Sequence, residues 1–243
     1  MEIEPIGNNF NMADASSENN LVSKERSVLG MDTERLRLFA EVFKLLSTKI
    51  GEFVPNNSDV IDLGCGNGVV ETIVDSRTRG CHISCVDTDA EVLVLMEKQK
   101  ERWHRVQIQT IQSDAMNYLR SREGLSDIII STTALHEMIS PENQETNFND
   151  FLFSVRSKIN EMGIAILGDY YFPSDVDDAD FVDFMERQKI LYGHADNRQC
   201  FLNPELVKRK ASEAGLDLLD SSDIQTIPEL NRRYFLFIFG KQK

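Results

Sequence analysis

The sequence predicts an α/β fold: a doubly wound, mostly parallel seven-stranded sheet with helices on both faces, an antiparallel C-terminal edge strand and a helical cap. Three observations carry this. Short apolar runs alternate with helical stretches long enough for parallel crossovers. A glycine-rich turn directly follows the first apolar run. The last two apolar runs have no helix between them, so they should pair antiparallel at one edge. At 243 residues, with 41% hydrophobic and 27% charged side chains, the chain suits one elaborated domain that needs no staples to hold a core.

Each element has its own local reason. Residues 33–50, TERLRLFAEVFKLLSTKI, bring Leu36, Phe39, Val42, Phe43 and Leu46 to one helical face, with Asp32 or Thr33 as cap. Pro55, Asn56 and Asn57 break the chain. A strand at Val60–Leu63 leads through the glycine turn into a helix at Val69–Arg77. His82–Val86 reads as a strand, Ala90–Trp103 as a helix, Val106–Gln112 as a strand and Ala115–Ser121 as a short helix. Ser126–Ser131, with three consecutive Ile, is a buried strand. Then come a helix at Gln144–Asn160, a strand at Ile164–Gly168 and a helix at Asp178–Leu191. The Pro204–Ala214 helix is stopped by Gly215, and strands at Leu216–Asp220 and Tyr234–Phe239 complete the sheet. Residues 1–31, rich in Asn, Ser and acidic side chains, read as a flexible arm or a lid. Residues 32–243 are the domain proper, with 170–203 as a cap insertion.

Composition removes several functions. The net charge is −14, from 26 basic against 40 acidic residues, which argues against nucleic acid or an anionic membrane as the main partner. Cys65, Cys81, Cys85 and Cys200 form no CxxC pair, so no metal site is expected and the thiols should be free. There is no secretory signal and no apolar run near the ~20 residues a membrane span needs, so the expected location is cytoplasmic. The acidic run Asp175, Asp177, Asp178, Asp180 and Asp183 lacks the Gly and Glu of a calcium loop and reads as a solvated helix start.

The segment VIDLGCGNG, Val60 to Gly68, carries the chemistry. A turn from strand straight into helix needs residues without Cβ, and in open α/β sheets that turn sits where ligands bind. Asp87 ends the second strand nineteen residues beyond Gly68, where a carboxylate meets a ribose diol. Asp114 follows the third strand, in reach of an adenine edge, and Asp62 precedes the glycines. The spacing GxGxG with an acid before it suits a ligand carrying an ammonium group and would repel a pyrophosphate.

These residues resemble motif I of the class I S-adenosylmethionine-dependent methyltransferases. Ser131-Thr-Thr-Ala-Leu-His136 is similar to the family's fourth motif, although Thr132 and Thr133 stand where many relatives carry Asn, and Glu137 where a second His is common. The resemblance covers roughly residues 34–240 and implies a Rossmann-like fold and S-adenosyl-L-methionine as cofactor, with S-adenosyl-L-homocysteine as product. It implies cofactor contacts at Asp62, Gly64, Cys65, Gly66, Asn67, Asp87, Thr88, Asp114, Ala115 and Thr132.

Methyl transfer from a sulfonium is an in-line displacement, in which the protein mainly aligns donor and acceptor. A hydroxyl or protonated amine also needs a base. His136, after a strand at the ligand end, is the first candidate, His194 in YGHAD the second and Tyr170 a weaker one. The expected acceptor is a small-molecule O, N or C nucleophile, with a homodimer left open. The alternatives are a protein or carrier-bound acceptor, RNA, a non-catalytic cofactor-binding partner protein, and an NAD-dependent oxidoreductase.

Overall fold

Helix α1 (Thr33–Phe53) precedes β1 (Asp59–Leu63), α2 (Val69–Arg77), β2 (His82–Asp87), α3 (Ala90–Gln99), β3 (Gln107–Gln112), α4 (Ala115–Ser121) and β4 (Ser126–Thr132). The one-turn helix α5 (Leu135–Met138), α6 (Gln144–Lys158), β5 (Ile159–Tyr171), α7 (Pro204–Glu213), β6 (Leu216–Ile227) and β7 (Arg232–Lys241) follow. The computed structural model describes residues 33–173, 181–182, 185–186, 200–227 and 232–242, with side chains from residue 40 onward. The expected arm at 1–31, the acidic run from Asp175 to Asp183, and His194 lie outside the described residues. So does most of the Asp178–Leu191 helix, of which residues 181–182 and 185–186 are helical.

The strands form one sheet in the order β3-β2-β1-β4-β5-β7-β6. The neighbours among β1 to β5 pair in parallel, as the helical crossovers require. Strand β7 runs antiparallel to both β5 and β6. The last two strands pair as the missing helix predicts, and the antiparallel one lies one place in from the rim. The apolar β7, buried along most of its length, takes the inner place and the more polar β6 forms the edge.

Alternation along each strand divides the core in two. Ile61, Leu63, Ile129, Ala165 and Leu167 face α4, α6 and α7, with Phe148, Phe151 and Leu152 packed on them. Val60, Ile83, Ile128, Ile130 and Ile166 face α1, α2 and α3, with Val42, Leu46 and Ile50 packed there. Three helices open on the cap their side chains dictate. Asp89 accepts from the Glu91 N–H at 2.8 Å, Asp114 from the Asn117 N–H at 3.0 Å and Asn203 from the Glu205 N–H at 2.8 Å, the last ahead of Pro204.

Some boundaries differ from the sequence expectation. Strand β5 runs well past Ile164–Gly168 at both ends, because Ser126 pairs with Ile159 and β7 carries its ladder to Tyr171. Helix α3 stops at Gln99 and tightens into a 3₁₀ turn over Lys100–Arg102, which turns the buried Trp103 into the core. Among the described residues all four cysteines are free, and no helix is long and apolar enough to cross a membrane.

Candidate active site

The glycine turn folds back on its neighbouring strand. The Gly64 and Cys65 N–H groups both donate to the Val86 carbonyl, at 2.8 and 3.2 Å. The Gly66 N–H donates to Asp87 Oδ2 at 3.0 Å, and the Asp89 N–H to Asp87 Oδ1 at 2.9 Å. One carboxylate thus ties the turn to the end of β2 and keeps a lone pair on each oxygen for another donor.

Two of the glycines serve different ends. Gly64 has φ +73°, and a Cβ there would stand 2.5 Å from Ala134 Cβ, so the protein's own packing demands glycine. Gly66 has φ +51°, yet a Cβ there would meet nothing within 4 Å. It faces open space, the expected character of a backbone segment that lies against a ligand.

That open space is a cleft of about 530 Å³, counting the part open to solvent. Asp62, Gly64, Cys65, Gly66 and Asn67 from the turn line one wall, with Thr132, Thr133 and Tyr170 from the ends of β4 and β5. Helix α1 lines it too, through Val42, Phe43 and Leu46, which the sequence pattern assigns only to a core face. Thr133 has φ +60°, a costly state for a β-branched residue, held by its N–H donating to the Gly168 carbonyl at 2.8 Å.

Asp62 is 1% exposed, and its Oδ2 has no hydrogen-bond donor among the described residues. Burial pushes its carboxyl well above the usual carboxylate range, and the neighbouring Glu71 carboxylate and Cys65 add to the shift. Glu71, in the first turn of α2, is fully buried.

Asp87, Thr88, Asp114, Ala115 and His136 lie outside the cleft wall. Asp87 adjoins it through Gly66, with Thr88 exposed beside it. Asp114 is exposed at the start of α4, and Ala115 is buried behind it.

The arrangement around His136 rests on a residue that the sequence reading did not single out. Asp169, fully buried on β5, accepts from the His136 backbone N–H at 2.7 Å and from the Tyr170 N–H at 2.7 Å. Its oxygens lie 2.9 and 3.0 Å from His136 Nδ1. A carboxylate can only accept, so in the neutral ring Nδ1 carries the hydrogen and Nε2 the lone pair. Phe201 stacks on the ring at 5.1 Å, and Glu137 Oε1 lies 3.9 Å from Nε2. The Tyr170 ring is held between the Arg232 guanidinium, 3.8 Å from its centroid, and the edge of Tyr234.

Residues 60–156 match the family model of the methyltransferase domain. No curated protein matches the chain in sequence. Among solved structures, the chain is similar to a protein described as a sarcosine dimethylglycine methyltransferase from Galdieria sulphuraria. That match has 14% identity and a TM-score of 0.58 over 84% of this chain and 86% of that one. It is similar to the cyclopropane synthase MmaA2 from Mycobacterium tuberculosis, at 12% identity and a TM-score of 0.61 over 83% and 84%. A third is the Haemonchus contortus phosphoethanolamine N-methyltransferase 2, at 15% identity and a TM-score of 0.60, over 82% of this chain and 53% of that one. It was solved with phosphomonomethylethanolamine and S-adenosylhomocysteine. At these identities the likeness is one of fold.

Proposed function

We propose, from the premise that this chain carries a class I S-adenosylmethionine-dependent methyltransferase domain, that it transfers a methyl group to a small-molecule oxygen, nitrogen or carbon nucleophile. The observation that carries the reading is Asp62 Oδ2, buried in the cleft wall without a donor beside a glycine backbone that faces open space. A buried acceptor of this kind fits the ammonium group of the cofactor's methionine half. The Gly66 backbone fits close passage of the chain, and the spare lone pairs of Asp87 fit the ribose hydroxyls. Asp114, Ala115 and Thr88 are assigned to the adenosine half, and Cys65, Asn67 and Thr132 to the walls of the methionine half.

S-adenosyl-L-methionine, when bound, supplies the methyl group on a sulfonium leaving group. The protein binds, aligns and excludes water. Tyr170 and α1 narrow the cleft around the acceptor. Asp169 holds the His136 ring so that Nε2 receives the proton that a hydroxyl or ammonium acceptor must lose. Asp169 is a positioning residue in this scheme. The small-molecule class is favoured by the chain's acidity and by the aromatic side chains of Phe201 and Phe172 near His136, which suit a compact acceptor.

The test is to supply a radiolabelled methyl donor with a cell extract and to separate products by mass. Label in the low-mass fraction is expected. Label confined to protein or RNA overturns the acceptor class, and cofactor binding with no transfer in any fraction overturns catalysis. Tighter binding of NAD than of S-adenosylhomocysteine overturns the cofactor.

A further inference from the structure

The chain leaves β4 through a residue in an unusual conformation. Thr133 has φ +60°, a left-handed state that crowds a β-branched side chain and that glycine or asparagine adopts at less cost. Its side chain is exposed in the cleft wall, so core packing does not account for a threonine there. The backbone on both sides of it is pinned. The Thr133 N–H donates to the Gly168 carbonyl at 2.8 Å, and the next residue, Ala134, lies against Gly64 of the glycine turn. The Thr133 hydroxyl donates to the Thr132 carbonyl at 2.6 Å. A hydroxyl has one hydrogen and two lone pairs, so Oγ1, its hydrogen committed, is left with acceptor capacity alone.

The same turn carries His136. Its backbone N–H and its Nδ1 both meet Asp169, the residue after Gly168 on β5. Thr133 and His136 are thus clamped to consecutive residues of one strand. With Nδ1 turned to the carboxylate, the neutral ring carries its lone pair on Nε2. Four residues of chain therefore hold two hydrogen-accepting atoms, Thr133 Oγ1 and His136 Nε2, in a fixed relation. Facing them from α1, the cleft wall is apolar, with Val42, Phe43 and Leu46. A protonated primary or secondary amine has a hydrogen for each of the two acceptors. A hydroxyl has one, and a carbon nucleophile makes no ordinary hydrogen bond at all.

We infer that the methyl acceptor is a primary or secondary amine, seated by Thr133 Oγ1, which accepts one of its N–H hydrogens while His136 Nε2 takes another as a proton. The inference rests on the proposed small-molecule methyl transfer and names its acceptor class. The nitrogen enters protonated and gives one proton to Nε2. Its freed lone pair forms the N–C bond as the S–C bond of the cofactor breaks, and His136 later returns the proton to solvent. The hydrogen bond to Oγ1 holds the nitrogen so that the freed lone pair, and not a hydrogen, faces the methyl group. An alcohol or a carbon acceptor would leave Oγ1 unpaired, which makes Thr133 a specificity-determining residue. The balance of 26 basic against 40 acidic residues favours a cation as the incoming ligand.

The test reads how the methyl group is attached in the product. The labelled low-mass product of the extract reaction is heated with hydriodic acid. This releases O-methyl groups as methyl iodide on gentle heating, releases N-methyl groups on strong heating only, and leaves C-methyl groups in place. Expected is release on strong heating. Release on gentle heating, or retention of the label, overturns the inference and leaves methyl transfer intact. Absence of label from the low-mass fraction overturns both. Thr133→Val keeps the branched shape and loses the hydroxyl, so at sub-saturating extract it should lower the transfer rate by about tenfold to a hundredfold, with S-adenosylhomocysteine affinity unchanged. Thr133→Ser keeps the hydroxyl and should stay close to wild type. A valine variant as fast as the serine variant, or one that loses S-adenosylhomocysteine affinity in step with rate, overturns the inference. Should Thr133→Val fail to fold, the product chemistry of the wild type still decides.

Discussion

Asp62 and Asp169 are the same residue type, both buried at the ligand end of the sheet, one on β1 and the other on β5. Asp169 meets three N–H groups of the protein, and its charge is spent on fixing His136 and Tyr170. Asp62 leaves an oxygen without a donor and faces a second acid. A buried carboxylate that its own chain satisfies positions a side chain. One left unsatisfied in a cleft wall is a place for a ligand's charge.

The comparison breaks most visibly on the Asp169 side. His136→Ala should lower kcat at neutral pH by about 10²–10⁴-fold, with S-adenosylhomocysteine affinity and Tm close to wild type. Asp169→Asn puts a donor amide against Nδ1 and should cut kcat within the same range. A drop under tenfold in His136→Ala removes it as the base, and a lost melting transition makes it structural.

On the other side, Asp87→Ala should weaken S-adenosylhomocysteine binding by about 1.5–3 kcal/mol, roughly tenfold to a hundredfold, if its carboxylate holds the ribose hydroxyls. Titration calorimetry reads this directly, and an unchanged Kd removes Asp87 from the site.

The two glycines sharpen the contrast between packing and ligand. Gly64→Ala drives a Cβ into Ala134 and should collapse the melting transition. Gly66→Ala meets no protein atom, so it should keep the fold at a backbone cost of about 1–2 kcal/mol and lose cofactor affinity. Equal loss of Tm in both would remove the ligand from the argument.

The smallest effect is on stability. The folded-state values of Asp62 and Glu71 are raised, so the folded protein holds more protons than the unfolded chain above the ordinary carboxylate range. Their stabilisation is complete below that range and is lost as pH rises through the folded-state values. The ligand-free protein should melt a few degrees lower at pH 8 than at about pH 6, and Asp62→Asn should flatten the profile. A pair that stays fully ionised would give no such slope.

Much of the frame was legible in the sequence because periodicity reports it. The run into Gly64, Gly66 and Gly68, the acid at Asp87 and most strand positions follow from local pattern. Helix α5 is one turn, too short for any period to mark. Asp169 was hidden inside GIAILGDYY, where an acid before two tyrosines reads as a strand ending. Its partner His136 stands 33 residues away, and only the parallel pairing of β4 with β5 brings them together. Nothing in the sequence marks Glu71, because an acid in the first turn of a helix is ordinary where the dipole favours it. Full burial against Asp62 is a property of packing, which one sequence does not display. Val42, Phe43 and Leu46 followed the helical pattern correctly, yet that pattern cannot tell a core face from a cleft wall.

Strand β6 carries a consequence for crowded solutions. A twelve-residue rim strand with Leu218 and Leu219 exposed offers a row of backbone groups to any neighbouring chain. Its ladder to β7 slips between Leu218 and Asp220 and again between Gln225 and Ile227, and each slip kinks the edge away from the straight line that stacking needs. Of the three acids along it, Asp220 pairs with Lys49 of α1 at 2.7 Å and Asp223 with Arg233 of β7 at 2.9 Å, and Asp217 adds its negative charge to the rim. Colloidal behaviour therefore depends on those carboxylates staying charged. Replacing all three by Asn should turn the rim into a template for fibrous aggregation while the fold behind it still stands.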